Sequence, residues 1–221
     1  MRHIIPLFAL LLPLALASGC AQQRPLNVVR SEAEAAAWQN NPEKAIADYE
    51  EYLTRRPEAA DVRAEYAKVL MRGGRPDDAA VQLQIALDVE PLNENYLDLL
   101  AQAHFESGDR EELLGLLNRA AMERGRVADY LRLGEYNAEL GNADEAVTAY
   151  LTAARIDRGR SLKPQMTLAR YYASIGDRTR QIRRLRAAYY IAPQDPDVIA
   201  AIREAGEVPG PAFALPPEEV R

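Results

Sequence analysis

The stretch VADYLRLGEYNAELGNADEAVTAYLTAARIDRG, residues 127–159, decides the fold of this 221-residue chain. Small residues stand at Gly134, Ala146 and Ala153, and Gly141 lies between the first two as a turn residue. Small side chains allow two helices to approach closely, and glycine marks the point where a helix gives way to a turn. The stretch therefore predicts two helices that pack against each other across a tight turn.

The same positions recur along most of the chain. Three columns of mostly small residues and one column of turn residues repeat with successive separations of 34, 34, 33 and 35 residues. The columns are Ala33, Ala67, Ala101, Gly134, Ala169; Ala45, Ala79, Leu113, Ala146, Gln181; Tyr52, Ala86, Ala120, Ala153, Ala188; and the turn residues Asn40, Gly74, Gly108, Gly141, Gly176. Columns that drift in step indicate a repeated structural unit, because a fixed period is the signature of a repeat architecture.

This pattern resembles the tetratricopeptide repeat, a unit of about 34 residues that forms two antiparallel helices. In residues 127–159 the signature positions are filled by Tyr130, Leu133, Gly134, Gly141, Ala146, Tyr150 and Ala153. The resemblance implies an all-α, right-handed superhelix (an α-solenoid) of about five helix-turn-helix repeats at residues 27–59, 60–93, 94–126, 127–161 and 162–195. Glu32, Leu113 and Gln181 depart from the family pattern in their units.

Local signals support the same architecture and extend it to the C-terminal part. Residues such as Ala79, Leu83 and Ala86 fall on one face of a helix. Asn41 before Pro42 reads as a helix N-cap, and Asp109-x-x-Glu112 and Asn142-x-x-Glu145 resemble capping boxes. Residues 196–206 are expected to form a capping helix. The Pro-rich residues 207–221 are expected to be an extended, mobile tail, with a peptide offered to a partner as the alternative.

The N-terminal residues resemble the signal of a bacterial lipoprotein. Positive charge precedes an apolar stretch that ends in small residues before Cys20, and the run LASGC resembles a lipobox. We therefore expect a signal peptide at 1–19, a lipid on Cys20 and a short tether at 20–26. The alternatives are an ordinary signal peptide with an unmodified thiol, or a buried core cysteine.

The composition alone leaves a soluble enzyme open, but the motifs of the sequence favour an interaction protein. A formal net charge of -6 argues against nucleic-acid binding, which needs a basic surface. The chain lacks the glycine loops and nucleophile motifs of common enzymes. His104 falls in a column with Ala36, Leu70, Asn137 and Tyr172, where a structural role outweighs metal binding. We expect no catalytic or metal site, no cofactor and no small-molecule substrate.

The family resemblance implies that the first helix of each pair lines a concave groove. Transferring the family's groove positions gives Arg30, Glu34, Trp38, Lys68, Arg72, Asp98, Gln102, Phe105, Leu131, Glu135, Glu139, Met166 and Arg170. The family's carboxylate clamp is not expected, because Glu34 and Glu65 stand where it needs asparagines. For any single residue of the set, the alternative is an ordinary solvated surface position.

Charge is concentrated near the end of the repeats. The segment from Arg155 to Tyr190 contains ten basic residues and only two acidic ones. Arg180, Arg183, Arg184 and Arg186 cluster in one predicted helix. The cluster is interpreted either as a solvated face or as a docking patch for an acidic protein or an anionic lipid surface.

Together these features predict a membrane-anchored, non-catalytic scaffold that binds one or more cell-envelope proteins. The order of lipobox and repeats resembles assembly factors of pilus, secretion and outer-membrane complexes. The alternative is an adaptor or regulatory subunit of a peptidoglycan or envelope enzyme complex. Because Ala21 follows the cysteine, the lipid anchor is expected in the outer membrane, facing the periplasm, if the cell has two membranes.

Overall fold

Local sequence signals set where each helix begins and ends. A computed structural model describes residues 23–220, which contain eleven α-helices and a short 3₁₀ helix, Glu218–Val220. The helices are α1 Leu26–Trp38, α2 Pro42–Arg55, α3 Ala60–Arg72, α4 Pro76–Val89, α5 Glu94–Ser107, α6 Arg110–Arg124, α7 Val127–Glu139, α8 Ala143–Asp157, α9 Leu162–Ser174, α10 Arg178–Ile191 and α11 Pro196–Glu204. The expected all-α fold of helix-turn-helix repeats is confirmed. The predicted signal peptide, Cys20 and the first residues of the tether lie outside the described residues.

The described chain divides into two compact units between Pro57 and Glu58. The first unit holds α1 and α2, which pack against each other. The second holds α3 to α11, in which α3 packs on α4, α7 on α8 and α9 on α10. Because one helix pair exposes much of its apolar face, the second unit gains stability from stacking successive pairs.

The turn inside each helix pair has the same backbone geometry. Its column residues all have positive φ, with 56° at Asn40, 71° at Gly74, 80° at Gly108, 81° at Gly141 and 74° at Gly176. The next N–H donates back to a carbonyl five residues earlier, as from Asn142 to Asn137 at 2.8 Å. This is the bond of a Schellman motif. The carbonyls that accept these bonds belong to Ala36, Leu70, His104, Asn137 and Tyr172. The sequence column that contains His104 therefore ends the first helix of each pair through its backbone.

The small-residue columns lie where paired helices touch. Ala67, Ala79, Ala101 and Ala146 are completely buried. At Gly134 an added Cβ would lie 2.5 Å from two ring carbons of Tyr150, far inside van der Waals contact. The glycine is therefore required by the ring of the facing helix, not by its own backbone conformation.

Two of the three predicted helix caps form. The Asn41 side chain accepts a hydrogen bond from the Lys44 N–H, and Asp109 accepts one from the Glu112 N–H, each at 3.2 Å. The prediction of a cap at Asn142 is wrong. Its amide instead donates to the Asn137 side chain at 3.1 Å, so it connects the turn to α7.

Part of the predicted tether is fastened to the first unit. The Arg24 guanidinium pairs with Asp48 at 2.8 Å and with Glu32 at 2.6 Å, and it also contacts Glu51. Burial alone would raise the pKa of Asp48, but hydrogen bonds from Lys44 and Arg24 outweigh it and hold the pKa below its usual value. This network fixes the chain where it enters α1.

Helix α11 covers the apolar end of the last pair. Val198 and Ile202 of α11 are completely buried in a cluster with Met166 of α9 and Leu185 of α10. The described residues 207–220 do not extend away from the repeats, as was expected of them, but fold back onto this end. Phe213 packs on this same cluster, and the Leu215 N–H donates to the Arg186 carbonyl at 3.2 Å.

Gly134→Ala should destabilise the second unit by about 1–3 kcal/mol, because overpacking forces a buried ring to move. Gly115→Ala is the matched control. A Cβ there would meet nothing closer than Arg119 Nη1 at 3.4 Å, and alanine within a helix should stabilise by about 0.5–1 kcal/mol. Chemical denaturation measures both effects. Equal stability of the two variants would contradict the close contact between Gly134 and Tyr150.

Candidate functional site

A groove runs along the first helices of the last three pairs. It has a volume of about 1100 Å³ and is lined by residues of α5, α7 and α9, together with Tyr150 of α8. Asp98, Gln102, Phe105 and Glu106 contribute from α5, since residues three and four apart share one helix face. A neighbouring pocket of about 470 Å³ between α3 and α5 shares Gln102 and Glu106 with the groove. The two cavities therefore form one continuous surface across four first helices.

Aromatic rings form the apolar part of the groove. Phe105 and Tyr136 are tilted with ring centroids 5.5 Å apart, and Tyr150 and Tyr171 are 5.4 Å apart. Burial raises the pKa of Tyr136 to about 12, and the carboxylates of Glu139 and Asp98 add to the shift. Burial likewise raises the pKa of Tyr150 to about 12. Both phenols are therefore neutral hydrogen-bonding groups at physiological pH.

A buried ion network holds α5 against α7 in the groove wall. Arg132 pairs with Asp98 of α5 and with Asp129 at 3.2 Å, and Arg126 pairs with the same Asp129 at 3.0 Å. The Asp129 side chain is completely buried. A buried carboxylate needs such partners, because unpaired charge is strongly disfavoured away from water. The network thus fixes where the Asp98 carboxylate lies.

The remaining groove charges are separated by helix. Glu135 and Glu139 are exposed on α7, and Lys163 and Arg170 are exposed on α9. Within residues 23–220 none of these four side chains forms an ion pair. The groove therefore offers an acidic strip on α7 and a basic strip on α9, together with aromatic rings from α5, α7, α8 and α9. This combination suits an extended segment of mixed charge.

Comparison with known proteins agrees with this geometry. Two family models, both described as tetratricopeptide repeat, match residues 38–103 and 130–160. The chain has the tetratricopeptide-repeat fold. Comparison with curated proteins gives no significant match.

Several solved structures are similar to this chain, and two of those described below are of tetratricopeptide-repeat proteins. A MamA protein is 18% identical, with a TM-score of 0.56, over 81% of this chain and 94% of its own. TTC0263, a thermophilic tetratricopeptide protein of Thermus thermophilus, is 18% identical, with a TM-score of 0.52, over 82% of this chain and 98% of its own. YrrB is described as a tetratricopeptide protein with an unusual peptide-binding site. It is 20% identical, with a TM-score of 0.50, over 79% of this chain and 90% of its own. At these identities the likeness concerns the fold alone.

The repeat fold brings most of the predicted groove residues of the second unit together. The cavities are lined by Lys68, Arg72, Asp98, Gln102, Phe105, Leu131, Glu135, Glu139 and Arg170. Leu131 contributes little surface, because it is only 6% exposed. Met166 does not line the groove and is 5% exposed within the cluster under α11, so its prediction as a binding residue is wrong.

Predicted residues Arg30, Glu34 and Trp38 lie on α1 in the first unit. The Arg30 guanidinium donates to Glu34 at 2.8 Å, and the Trp38 side chain is 90% exposed. A tryptophan this exposed at the end of a helix is available for contact with another molecule.

The sequence patterns missed several groove residues. Arg132, Tyr136 and Tyr171 each lie one position from a predicted residue, and Tyr150 comes from a second helix. Fixed family positions overlook such neighbours, because one helix face is wider than a single row of residues. Tyr136 and Tyr171 are aromatic residues next to predicted groove positions. This is the sequence signal that would have identified them.

The predicted basic patch is not a free surface. Arg184 is buried and pairs with Glu219, Arg183 pairs with Glu218 at 3.1 Å, and Arg186 donates to the Phe213 carbonyl at 2.8 Å. Arg180 pairs with Asp177 at 3.3 Å and lies 5.6 Å from the Tyr172 ring centre. The prediction of a solvent-exposed cluster is wrong for Arg184, whereas the paired side chains of Arg180 and Arg183 stay 58% and 57% exposed.

No described helix is long and apolar enough to span a bilayer. The described residues also contain no group of three or more histidine, cysteine, aspartate or glutamate side chains placed to hold a metal ion.

Asp129→Asn should destabilise the protein by about 3 kcal/mol, because it leaves two arginines beside a neutral buried amide. Glu94→Gln is the matched control. Glu94 is the exposed partner of Arg126 in the same network, and its loss should cost less than about 1 kcal/mol. Thermal and chemical denaturation measure the difference. Similar destabilisation by both changes would show that Asp129 does not anchor the groove wall.

Proposed function

We propose that this chain is a non-catalytic scaffold that binds an extended segment of another protein in the groove of α3, α5, α7 and α9. The observation that carries the proposal is the continuous surface of these four helices, which combines aromatic rings with an acidic strip on α7 and a basic strip on α9. Tetratricopeptide repeats stack so that first helices form such extended binding surfaces. The peptide-binding site described for YrrB is consistent with this role.

The chemistry of the groove indicates what the bound segment contains. Glu135 and Glu139 on α7 would attract a lysine or arginine of the segment, and Arg170 on α9 would attract an acidic residue. Phe105, Tyr136 and Tyr171 would contact an apolar or aromatic side chain between them, since aromatic surface dominates the energy of most interfaces. Rings and ion pairs already held in place lower the entropy cost of binding.

We further propose that the scaffold is anchored in the cell envelope by a lipid on Cys20. Support comes from the charged start, the apolar stretch and the small residues before the cysteine. The Ala21 that follows favours the outer membrane facing the periplasm in a cell with two membranes. Anchoring there would keep the groove close to envelope proteins, which we propose as its partners.

Cys20→Ser should move the protein from the membrane fraction to the soluble periplasmic fraction, because the acylated thiol is lost. Ser18→Ala is the control, since it keeps a small residue near the cleavage site and leaves the thiol in place. Membrane fractionation followed by immunoblotting measures the shift. Wild-type recovery of the Cys20→Ser variant in membranes would rule out lipid anchoring while leaving the groove proposal unaffected.

Glu135→Lys with Glu139→Lys should reduce partner capture at least ten-fold, because the acidic strip becomes repulsive toward a basic residue of the segment. Glu111→Lys with Glu123→Lys changes the net charge equally on α6 and is the matched control, as all four glutamates are exposed. Photocrosslinking from a probe at Gln102, with Val81 on α4 as a reference position, identifies groove partners. Equal capture by the two double variants would overturn the assignment of the groove.

A further inference from the structure

Residues 213–220 occupy a site on the last helix pair that the groove does not use. Glu219 lies over α10, where its carboxylate accepts a hydrogen bond from Arg184 Nη1 at 2.5 Å. Gln165 of α9 donates to the same carboxylate at 3.2 Å and accepts from Arg184 at 3.0 Å. The 3₁₀ helix that carries Glu219 also contacts α8.

The receiving side of this site is buried and built for a carboxylate. Gln165 is completely buried, and the Arg184 side chain is 7% exposed. In the described chain, the only carboxylate that pairs with Arg184 is Glu219. Burial alone would raise the pKa of Glu219, but hydrogen bonding from Arg184 outweighs it and lowers the pKa. A buried guanidinium requires such an anion, because leaving it unpaired is strongly unfavourable.

Additional contacts allow the site to recognise an aromatic side chain as well as negative charge. The Phe213 ring packs edge-on against Tyr189 with centroids 6.2 Å apart, and Arg186 lies 5.8 Å from the Phe213 ring centre. The Phe213 carbonyl accepts from Arg186, and Arg183 pairs with Glu218. The site thus recognises an aromatic residue followed, after two prolines, by paired glutamates.

The bound segment has the character of a ligand. It is connected to α11 through a stretch with Pro209, Gly210 and Pro211, and between Gly206 and Glu218 no regular helix or strand holds it. It contacts α9 and α10 through apolar packing of the Phe213 ring, side-chain hydrogen bonds and ion pairs, and one backbone bond from the Leu215 N–H. A segment of another chain could make the same contacts, because none of them requires the covalent connection to α11.

We propose that Arg184 and Gln165 form a recognition site for glutamate-containing segments, filled in cis by residues 213–220, and that an acidic segment of a partner protein binds there by displacing them. The chain's own segment acts at an effective concentration of about millimolar. A partner must therefore match its pattern of aromatic, proline and glutamate residues in order to compete. This second interaction surface lies on α9 and α10 and is independent of the groove proposed above.

The test measures binding of a fluorescent peptide with the sequence of residues 211–221 to the full chain by anisotropy. The Glu219→Gln change weakens binding of the internal segment to its site and leaves Arg184 and Gln165 unchanged. This variant should therefore bind the peptide at least ten-fold more tightly than wild type. Adding Arg184→Gln should abolish that gain, and adding Arg180→Gln, on the same helix, should leave it unchanged. A peptide with glutamine at both glutamate positions should not bind.

Three results would overturn the proposal. In the first, Glu219→Gln melts like wild type and yet binds the peptide no more tightly, so the segment is a fixed structural cap. The second applies if Glu219→Gln fails to fold. Hydrogen exchange on the wild-type protein then shows that the Leu215 amide exchanges only when the amides of α10 exchange, so the segment does not detach by itself. In the third, wild type forms a concentration-dependent dimer that Glu219→Gln dissociates, so a second copy and not the chain's own segment fills the site.

Discussion

The close approach of two helices at each repeat is the constraint on which the structure depends. At residues 127–159 the Tyr150 ring lies directly against Gly134, where no side-chain carbon fits. Tyr150 in turn packs with Ala146, Leu168 and Tyr172, so the same ring joins its own pair to α9. Tight packing within a pair and stacking between pairs therefore share the same residues.

The groove follows from this packing. Because small residues of the first helices, such as Ala67, Ala101 and Gly134, make the close contacts of each pair, the other positions of these helices can present long polar and aromatic side chains. Tyr150 takes part in both, since its ring is buried against Gly134 and also lines the groove beside Tyr171. A change in pair packing would therefore alter the binding surface directly.

Buried charge has a different role at Asp129 and at Arg184 in the second unit. Around Asp129 the ions come from adjacent helices and hold a wall in place. Around Arg184 the partner anion comes from a segment outside the regular helices, more than thirty residues away in sequence. The first arrangement joins residues of packed helices, whereas the second depends on a segment that lies outside the regular helices.

The sequence by itself determined the helix pairs, their register and their turns. The period near 34 residues located every positive-φ turn inside a helix pair, because only glycine or asparagine tolerates that backbone conformation without strain. Most of the groove positions that the family resemblance implied for the second unit do line the groove, because one helix face follows from the spacing of residues.

Only the tertiary structure decided which side chains are exposed and which charges are paired. Met166 fits a groove position by spacing but is covered by α11, and Arg184 fits a surface cluster but is covered by residues 213–220. A proline-rich stretch has no periodicity from which docking could be inferred. Its place on α10 depends on contacts between residues distant in sequence, and local patterns carry no information about such contacts.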